Sequence, residues 1–235
     1  MKICVFDIET GPLPDEEIAR IAPPFNEDKV KVGNLGLEKQ LAKVKEAREN
    51  HLAKIKNKAA LNGEYGRVLA CGFAQGDATE GVSVNEVESL FIAEETDKAE
   101  AALLKKIWAR LGKARESHCL LVGHNSNAFD LPHLLRRSFI LHVRPLWEIV
   151  PNRRYFPDFC VDLMDAWRMG DYDPEKRIGL DRLAKAMGFE GKSGSGKYFA
   201  ETWRNDPDAA KEYLETDIRV TWRVAARIIP YVRQY

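Results

Sequence analysis

Two hydrophobic periods alternate along this chain, and the changes from one to the other mark its elements. Ile3, Cys4, Val5 and Phe6 form a short continuous apolar run. It predicts a first strand over residues 2–6 that ends in Asp7-Ile8-Glu9, with Pro12 and Pro14 marking the exit. Two β-rich runs, 67–74 and 87–93, flank a stretch containing Gly and Asp and predict a hairpin or meander that pairs with the first strand. From 97 to 113, Ala101, Leu103, Leu104, Ile107, Trp108 and Leu111 recur at helical spacing before Gly112, which predicts an amphipathic helix. Residues 118–123 and 159–163 read as short strands, and 131–142, 180–187 and 208–231 as helices. Strands first, then helix and strand in alternation, predict a mixed α/β sheet, antiparallel early, with parallel crossovers later and helices flanking it.

The stretch 13–66 does not fit that rhythm. It is polar, broken at Pro23-Pro24, Gly33 and Gly36, and then carries Leu37, Leu41, Val44, Leu52, Ile55 and Ala59, a pattern that predicts one helix over 37–60. The reading is a helical insertion, 13–66, after the first strand of a single domain, 1–235. Residues 28–58 hold nine basic side chains against four acidic ones. A solvated helix face produces such an excess, and so does a surface that guides single-stranded nucleic acid.

Composition narrows the field. With 36 Lys plus Arg against 36 Asp plus Glu, the chain lacks a global basic footprint, so any nucleic-acid contact must come from a local patch. An apolar content of 45% is that of a foldable globular chain and excludes disorder. The longest apolar runs fall far short of the ~18 residues of a membrane span, and the N-terminus has no secretory pattern. A cytoplasmic protein without membrane contact is expected. Cys4, Cys71, Cys119 and Cys160 are far apart and read as buried reduced thiols. The five histidines show no zinc spacing. Gly191 to Lys197 has the glycine and lysine spacing of a phosphate-binding loop, but Tyr198 stands where Ser or Thr would hold Mg²⁺, and the run follows a predicted helix rather than a strand. ATP binding is therefore rejected in favour of a loop whose Lys192 and Lys197 meet nucleic-acid phosphates.

The candidate chemistry is carboxylate chemistry. Asp7 and Glu9, two apart on a strand, project to one face while Ile8 points to the other. Asp130 lies directly after a strand and directly before a helix, where open α/β sheets put their sites and where an ordinary helix cap also sits. Tyr213 and Asp217, four apart on the last helix, share a face. Four acids from separated segments aimed at one sheet edge would repel unless cations neutralised them. Hard oxygen ligands favour Mg²⁺ or Mn²⁺, and a pair of such ions suits phosphoryl displacement.

In order along the chain, Phe6-Asp7-Ile8-Glu9-Thr10, Asn125-x3-Phe129-Asp130 and Tyr213-x3-Asp217 resemble the three motifs of the DEDD 3′–5′ exonucleases in their tyrosine subclass. The histidine subclass needs His five residues before the final Asp, where this chain has Glu212. Val161-Asp162-Leu163, the segment from Gly179 to Ala184, and Gly188-x3-Lys192 resemble the proofreading exonuclease domain of family-B DNA polymerases and its stand-alone relatives. The likeness covers residues 1–12 and about 67–232 and leaves out the insertion.

The resemblance implies a ribonuclease H-like exonuclease fold with a mixed five-stranded sheet. It implies hydrolysis of single-stranded DNA from its 3′ end to nucleoside monophosphates with two divalent ions, Mg²⁺ or Mn²⁺. Asp7, Glu9 and Asp217 would hold the ion that binds the attacking water, Asp7 would bridge to the second ion, and Asp130 would support that ion through water. Tyr213 would orient the water. Thr10, Asn125 and Phe129 would contact the terminal nucleotide, although Phe129 equally reads as a core residue. DNA is favoured over RNA, with DNA repair and proofreading as the setting and a polymerase or another replication or repair protein as candidate partner. The alternatives are a 3′–5′ exoribonuclease of ribonuclease D type and a non-cleaving nucleic-acid-binding or polymerase-partner module. Oligomeric state is not legible.

Overall fold

A computed structural model of the chain describes every residue except 80, 82, 83, 85, 147–157, 172, 193, 195 and 233–235. Five strands, β1 (Lys2–Pro12), β2 (Gly66–Asp77), β3 (Glu88–Phe91), β4 (Leu120–Gly123) and β5 (Cys160–Asp162), form one sheet in the order β3-β2-β1-β4-β5. β2 and β3 are antiparallel, whereas β1–β4 and β4–β5 are parallel. The helices are α1 (Asp15–Ile21), α2 (Leu37–Glu49), α3 (His51–Lys56), α4 (Asp97–Glu116), α5 (Asp130–Ile140), α6 (Leu163–Arg168), α7 (Leu180–Ala186), α8 (Phe199–Asn205) and α9 (Pro207–Val232). No helix of the described residues is long and apolar enough to cross a membrane.

The chain divides into two units, Met1–Thr10 with Val68–Tyr235, and Gly11–Arg67. In the first, the strand period of two sorts β1 between the sheet's faces. Cys4, Phe6 and Ile8 join the core that holds Leu103, Leu104 and Ile107 of α4 and Leu131 and Leu134 of α5. Ile3 and Val5 join the core built from Leu183 and Ala184 of α7 and Val224 and Ala225 of α9. Asp7 and Glu9 share the parity of Ile3 and Val5, so they face the side on which α9 lies. α9 reaches that face closely because β2 has glycines there. A Cβ on Gly72 would stand 2.5 Å from Ile218 Cγ1, and one on Gly76 would stand 3.0 Å from the Trp222 ring.

A buried ion pair locks the opposite face. Glu100 of α4 accepts from Arg137 Nε at 2.9 Å and Nη2 at 2.7 Å, and from Val68 N of β2 at 3.0 Å. All four cysteines are buried free thiols, and burial pushes Cys4 and Cys160 up to about 12.

Several expectations need correction. β1 does not end near Phe6 but runs to Pro12, because residues 8–11 are buried like those before them. Asp7 and Glu9 therefore lie within the strand. The expected helix over 37–60 is two helices broken at Asn50, followed by a 3-10 turn at Ala59–Leu61. α2 buries no residue, so nothing enforces one long axis, and Leu37 and Leu41 are 73% and 62% exposed instead of forming a core. The second unit's own core is small, with Leu13, Ile18 and Ala59 packed by Leu52, Ile55 and Tyr65. The strand expected over 159–163 stops at Asp162, whose carboxylate caps α6 by accepting from Met164 N at 2.9 Å. The expectations had no counterpart for α1, α6 or α8.

Candidate active site

β4 stops at Gly123 while β1 continues, and the two part beyond their last paired residues, Val5 and Val122. Gly123 permits the sharp departure, since a Cβ there would stand 2.5 Å from Ser126 Cβ. The next turn is held from below by Asp162, which accepts from Asn125 N at 2.8 Å and Asn127 N at 2.9 Å. Asn125 takes the left-handed region at φ 62°, a conformation Asn tolerates better than most residues. Its carbonyl accepts from Phe129 N at 2.9 Å. This wound turn delivers Asp130 as the first residue of α5.

Asp130 does not cap its own helix. The cap position is Phe129, which makes no side-chain bond, and the Asp130 carboxylate instead accepts from Ile8 N of β1 at 3.0 Å. That bond spans from the α5 terminus to the strand between the other two acids. Burial raises Asp130 to about 7, against the lowering effect of its backbone hydrogen bonds.

Asp7, Glu9 and Asp217 converge, each bringing an oxygen within 4.8 Å of the others. Asp217 interrupts the apolar stripe of Ala210, Leu214, Ile218 and Ala225 on α9 and is itself fully buried. Burial, then Asp130 for Asp7 and Asp7 for Glu9, holds both strand carboxyls well above the usual carboxylate range. Asp217 is raised by burial too, with Lys192 pulling the other way.

Tyr213 lies one turn before Asp217, its ring tilted against Phe199 of α8 at 6.0 Å between centroids. A Cβ on Gly196 would stand 3.4 Å from Glu9 Oε2 and 3.5 Å from the Tyr213 hydroxyl, so the backbone at Gly196 closes over both. Burial and then Asp217 raise the phenol above its ordinary value. It stays protonated at neutral pH and cannot serve as a base there. Glu212, at the position a histidine would need, points to solvent. A hollow of about 430 Å³ opens beside Tyr213, bounded by Gly194, Tyr198, Phe199 and Glu212.

Lys192 is the residue whose surroundings the sequence did not foretell. Read as a loop cation, it is instead half-buried, ion-paired with Asp217, with its ammonium 5.8 Å from the Tyr213 ring centre. Its backbone N–H donates to Asp181 Oδ1 at 3.0 Å, and the neighbouring Gly191 lies so tight that any Cβ would collide with that carboxylate. Burial alone would lower Lys192, but Asp217 and Asp7 outweigh it and hold the ammonium above its usual value.

Lys197 is exposed, with its ammonium over the Tyr198 ring at 5.4 Å. Thr10 is buried on β1. Phe129 is half-buried against the core and 5.5 Å from the His133 ring. Ser193 and Ser195 of the glycine-rich run lie outside the described residues. Its described part follows α7 and leads into a 3-10 turn, Gly196–Tyr198, unlike a phosphate-binding loop.

Comparison with known proteins agrees with this architecture. A family model described as "Predicted 3′-5′ exonuclease related to the exonuclease domain of PolB" matches residues 60–232. The chain belongs to this family, and its fold is ribonuclease H-like. The match includes Asp130, Lys192, Tyr213 and Asp217 and begins after the strand that carries Asp7 and Glu9. Among solved structures the chain is similar to the family B DNA polymerase of the hyperthermophilic archaeon Pyrobaculum calidifontis, with 21% identity and a TM-score of 0.53. The alignment covers 98% of this chain and 25% of the polymerase, so the chain spans about a quarter of that protein's length. No curated protein matches the chain.

Proposed function

We propose that the chain removes nucleotides one at a time from the 3′ end of single-stranded DNA, with Asp7, Glu9, Asp130, Tyr213 and Asp217 as its catalytic residues. The observation that carries this reading is the convergence of Asp7, Glu9 and Asp217 within 4.8 Å in a buried setting. Three carboxylates in such a place repel one another unless positive charge is brought in. The donor set is oxygen only, which fits Mg²⁺ or Mn²⁺ rather than zinc. Held by these three acids with Asp130 in support, two such ions would supply a strong nucleophile at neutral pH and offset charge on the leaving oxygen.

The chain's own groups do the rest. Water attacks the terminal phosphorus, the bond to the 3′ oxygen of the preceding nucleotide breaks, and that oxygen leaves as a hydroxyl, releasing a 5′-monophosphate. The protonated Tyr213 hydroxyl orients the water. Asp130 is anchored on Ile8 N, so its free oxygen is fixed relative to Asp7. Lys192 offsets the acids and, with Lys197, presents positive charge to phosphates. Thr10, Asn125 and Phe129 contact the terminal nucleotide. Kinship with a polymerase's exonuclease domain supports a DNA substrate and a setting in proofreading or repair beside a polymerase. The whole chain, 1–235, acts as one exonuclease domain with 13–66 inserted.

Digestion of matched 5′-labelled DNA and RNA oligonucleotides with Mg²⁺, Mn²⁺ or EDTA tests this. The reading expects a ladder that shortens from the 3′ end, faster on DNA, and absent in EDTA. Faster RNA shortening would make the chain an exoribonuclease, and no shortening of either would remove the activity.

A further inference from the structure

A second cleft of the described residues is lined by none of the acid-cluster residues. It lies wholly within Gly11–Arg67 and has a volume of about 800 Å³. Its rim carries Lys29, Lys31, Lys43, Lys54 and Lys58, with Glu46 the acid among them. All five ammonium groups are exposed, and none has a carboxylate within salt-bridge distance among the described residues. The unit does neutralise cations elsewhere. Arg48 is ion-paired with Glu27, and Lys56 with Asp15 at 2.6 Å.

The cleft is also built rather than incidental. One wall is the segment Pro23–Phe25, pinned to α3 by His51, whose Nε2 lies 2.8 Å from the Pro23 carbonyl oxygen and whose ring meets the Phe25 ring edge-on at 5.6 Å. The Arg48 guanidinium covers Phe25 at 5.6 Å. Half-buried Phe25, Ile55 and Tyr65 give the cleft an apolar lining beneath the lysines. A ligand that matches must carry several negative charges along one edge and flat apolar surface along the other.

We propose that this cleft is a second nucleic-acid site, binding a single-stranded segment with its phosphates on the lysines and its bases toward Phe25 and Tyr65. Single strands offer this combination, because their bases are unpaired and free to meet rings while the backbone tracks positive charge. The proposal deepens the exonuclease reading and rests on it, assigning to the second unit a hold on the strand that is separate from the acid cluster. A free 5′-mononucleotide presents the same phosphate and base, so the test separates the two sources.

The experiment measures binding of a fluorescent oligothymidylate to the full-length chain in EDTA, where cleavage does not interfere, across a salt series. Lys43→Gln, Lys54→Gln and Lys58→Gln combined should weaken binding at least about tenfold at low salt and flatten the slope of log affinity against log salt by about 2. A control, Lys39→Gln with Lys45→Gln, removes charge from exposed lysines of α2 that do not line the cleft, and should leave the slope within about 0.3 of wild type. Unchanged binding in the cleft variant, or equal losses in both variants, overturns the proposal. Displacement of the strand by 5′-thymidine monophosphate at similar concentration would show that the cleft takes free nucleotide, which also overturns it. Because binding is read without turnover, its failure leaves the exonuclease reading standing, and a chain that binds but never cleaves would fail that reading alone.

Discussion

Two groups of buried charge lie in the first unit of this molecule, one on each face of the sheet. Glu100 has every strong demand met, by the Arg137 fork and by Val68 N, while Asp7, Glu9 and Asp217 crowd one another with Lys192 the cation among them. Burial is common to both, and balance separates them. A paired charge holds elements together, whereas a surplus of one sign makes a place where a cation and a phosphate can be bound. Burial first, and then the neighbouring acids, hold Asp7 and Glu9 above the usual carboxylate range.

Breaking the balanced pair should have the largest effect on folding. Glu100→Ala takes the bidentate partner from buried Arg137, which keeps the more distant Asp97 at 3.8 Å, and should cost about 3–5 kcal/mol of unfolding free energy in a denaturant titration, with the turnover of the protein that remains folded close to wild type. A loss under about 1 kcal/mol would mean the pair is no better than a surface one.

The unbalanced cluster should behave in the opposite way. Asp7→Asn or Asp217→Asn should lower turnover by more than the roughly 100-fold that loss of a residue supporting a metal ligand costs. Thermal stability should be unchanged or higher, since one repelling charge is gone. An active variant, or one that fails to fold, would count these acids among structural charges.

If Tyr213 positions the attacking water as proposed, Tyr213→Phe should reduce kcat by roughly 10- to 100-fold with KM within about threefold, because the oxygen lost acts in the chemical step and not in holding the strand. An unchanged rate would make Tyr213 only a packing partner of Phe199.

The smallest effect concerns pH. Burial, then Arg137 and Arg136, push His133 down to about 3 from 6.5. A histidine value lowered by folding means stability is complete above 6.5 and is lost as pH falls through 6.5 toward the folded value. Between pH 6.5 and 5.5 the loss should be about 1 kcal/mol, or roughly 2–4 °C in Tm, and His133→Leu should abolish that share of it. Asp130 has the reverse sign. Raised from 3.8 to about 7, it favours the fold most at low pH and loses that contribution as pH rises between those values. Asp130→Asn should therefore flatten the profile on the neutral side. Parallel profiles for wild type and His133→Leu would contradict the histidine assignment.

Much of this was legible from residue order, and the exceptions share a cause. Alternation on β1 announced that Asp7 and Glu9 share a face, and the spacing of Tyr213 and Asp217 announced the same on α9. The sequence did not show that β1 runs on to Pro12, because carboxylates in a strand read as its exposed end unless a helix comes down to cover them. Gly72 and Gly76, which let α9 come that close, look like ordinary strand glycines until Ile218 and Trp222 are set against them. Lys192 was visible as a loop lysine, but its pairing with Asp217 is a tertiary fact fixed by Asp181 and Gly191. Two positions carry more than their spacing announces: Asp217, an acid among the helical-period hydrophobics of α9, and Asp162, which closes a short strand, caps α6 and fastens the turn before Asp130. The division of the basic segment at Asn50 had no sequence signal, since α2 has no buried face to impose a period.

Whether the unbalanced acids are a metal site is decided by Mn²⁺ titration calorimetry in two buffers of different ionisation enthalpy. Carboxyl groups held above their ordinary range must give up protons when a cation binds. The wild-type chain should take up Mn²⁺ saturably near pH 6.5 with proton release, and Asp217→Asn should take it up at least about tenfold more weakly. Absence of saturable uptake by the wild type, or equal uptake by Asp217→Asn, would contradict a metal site there.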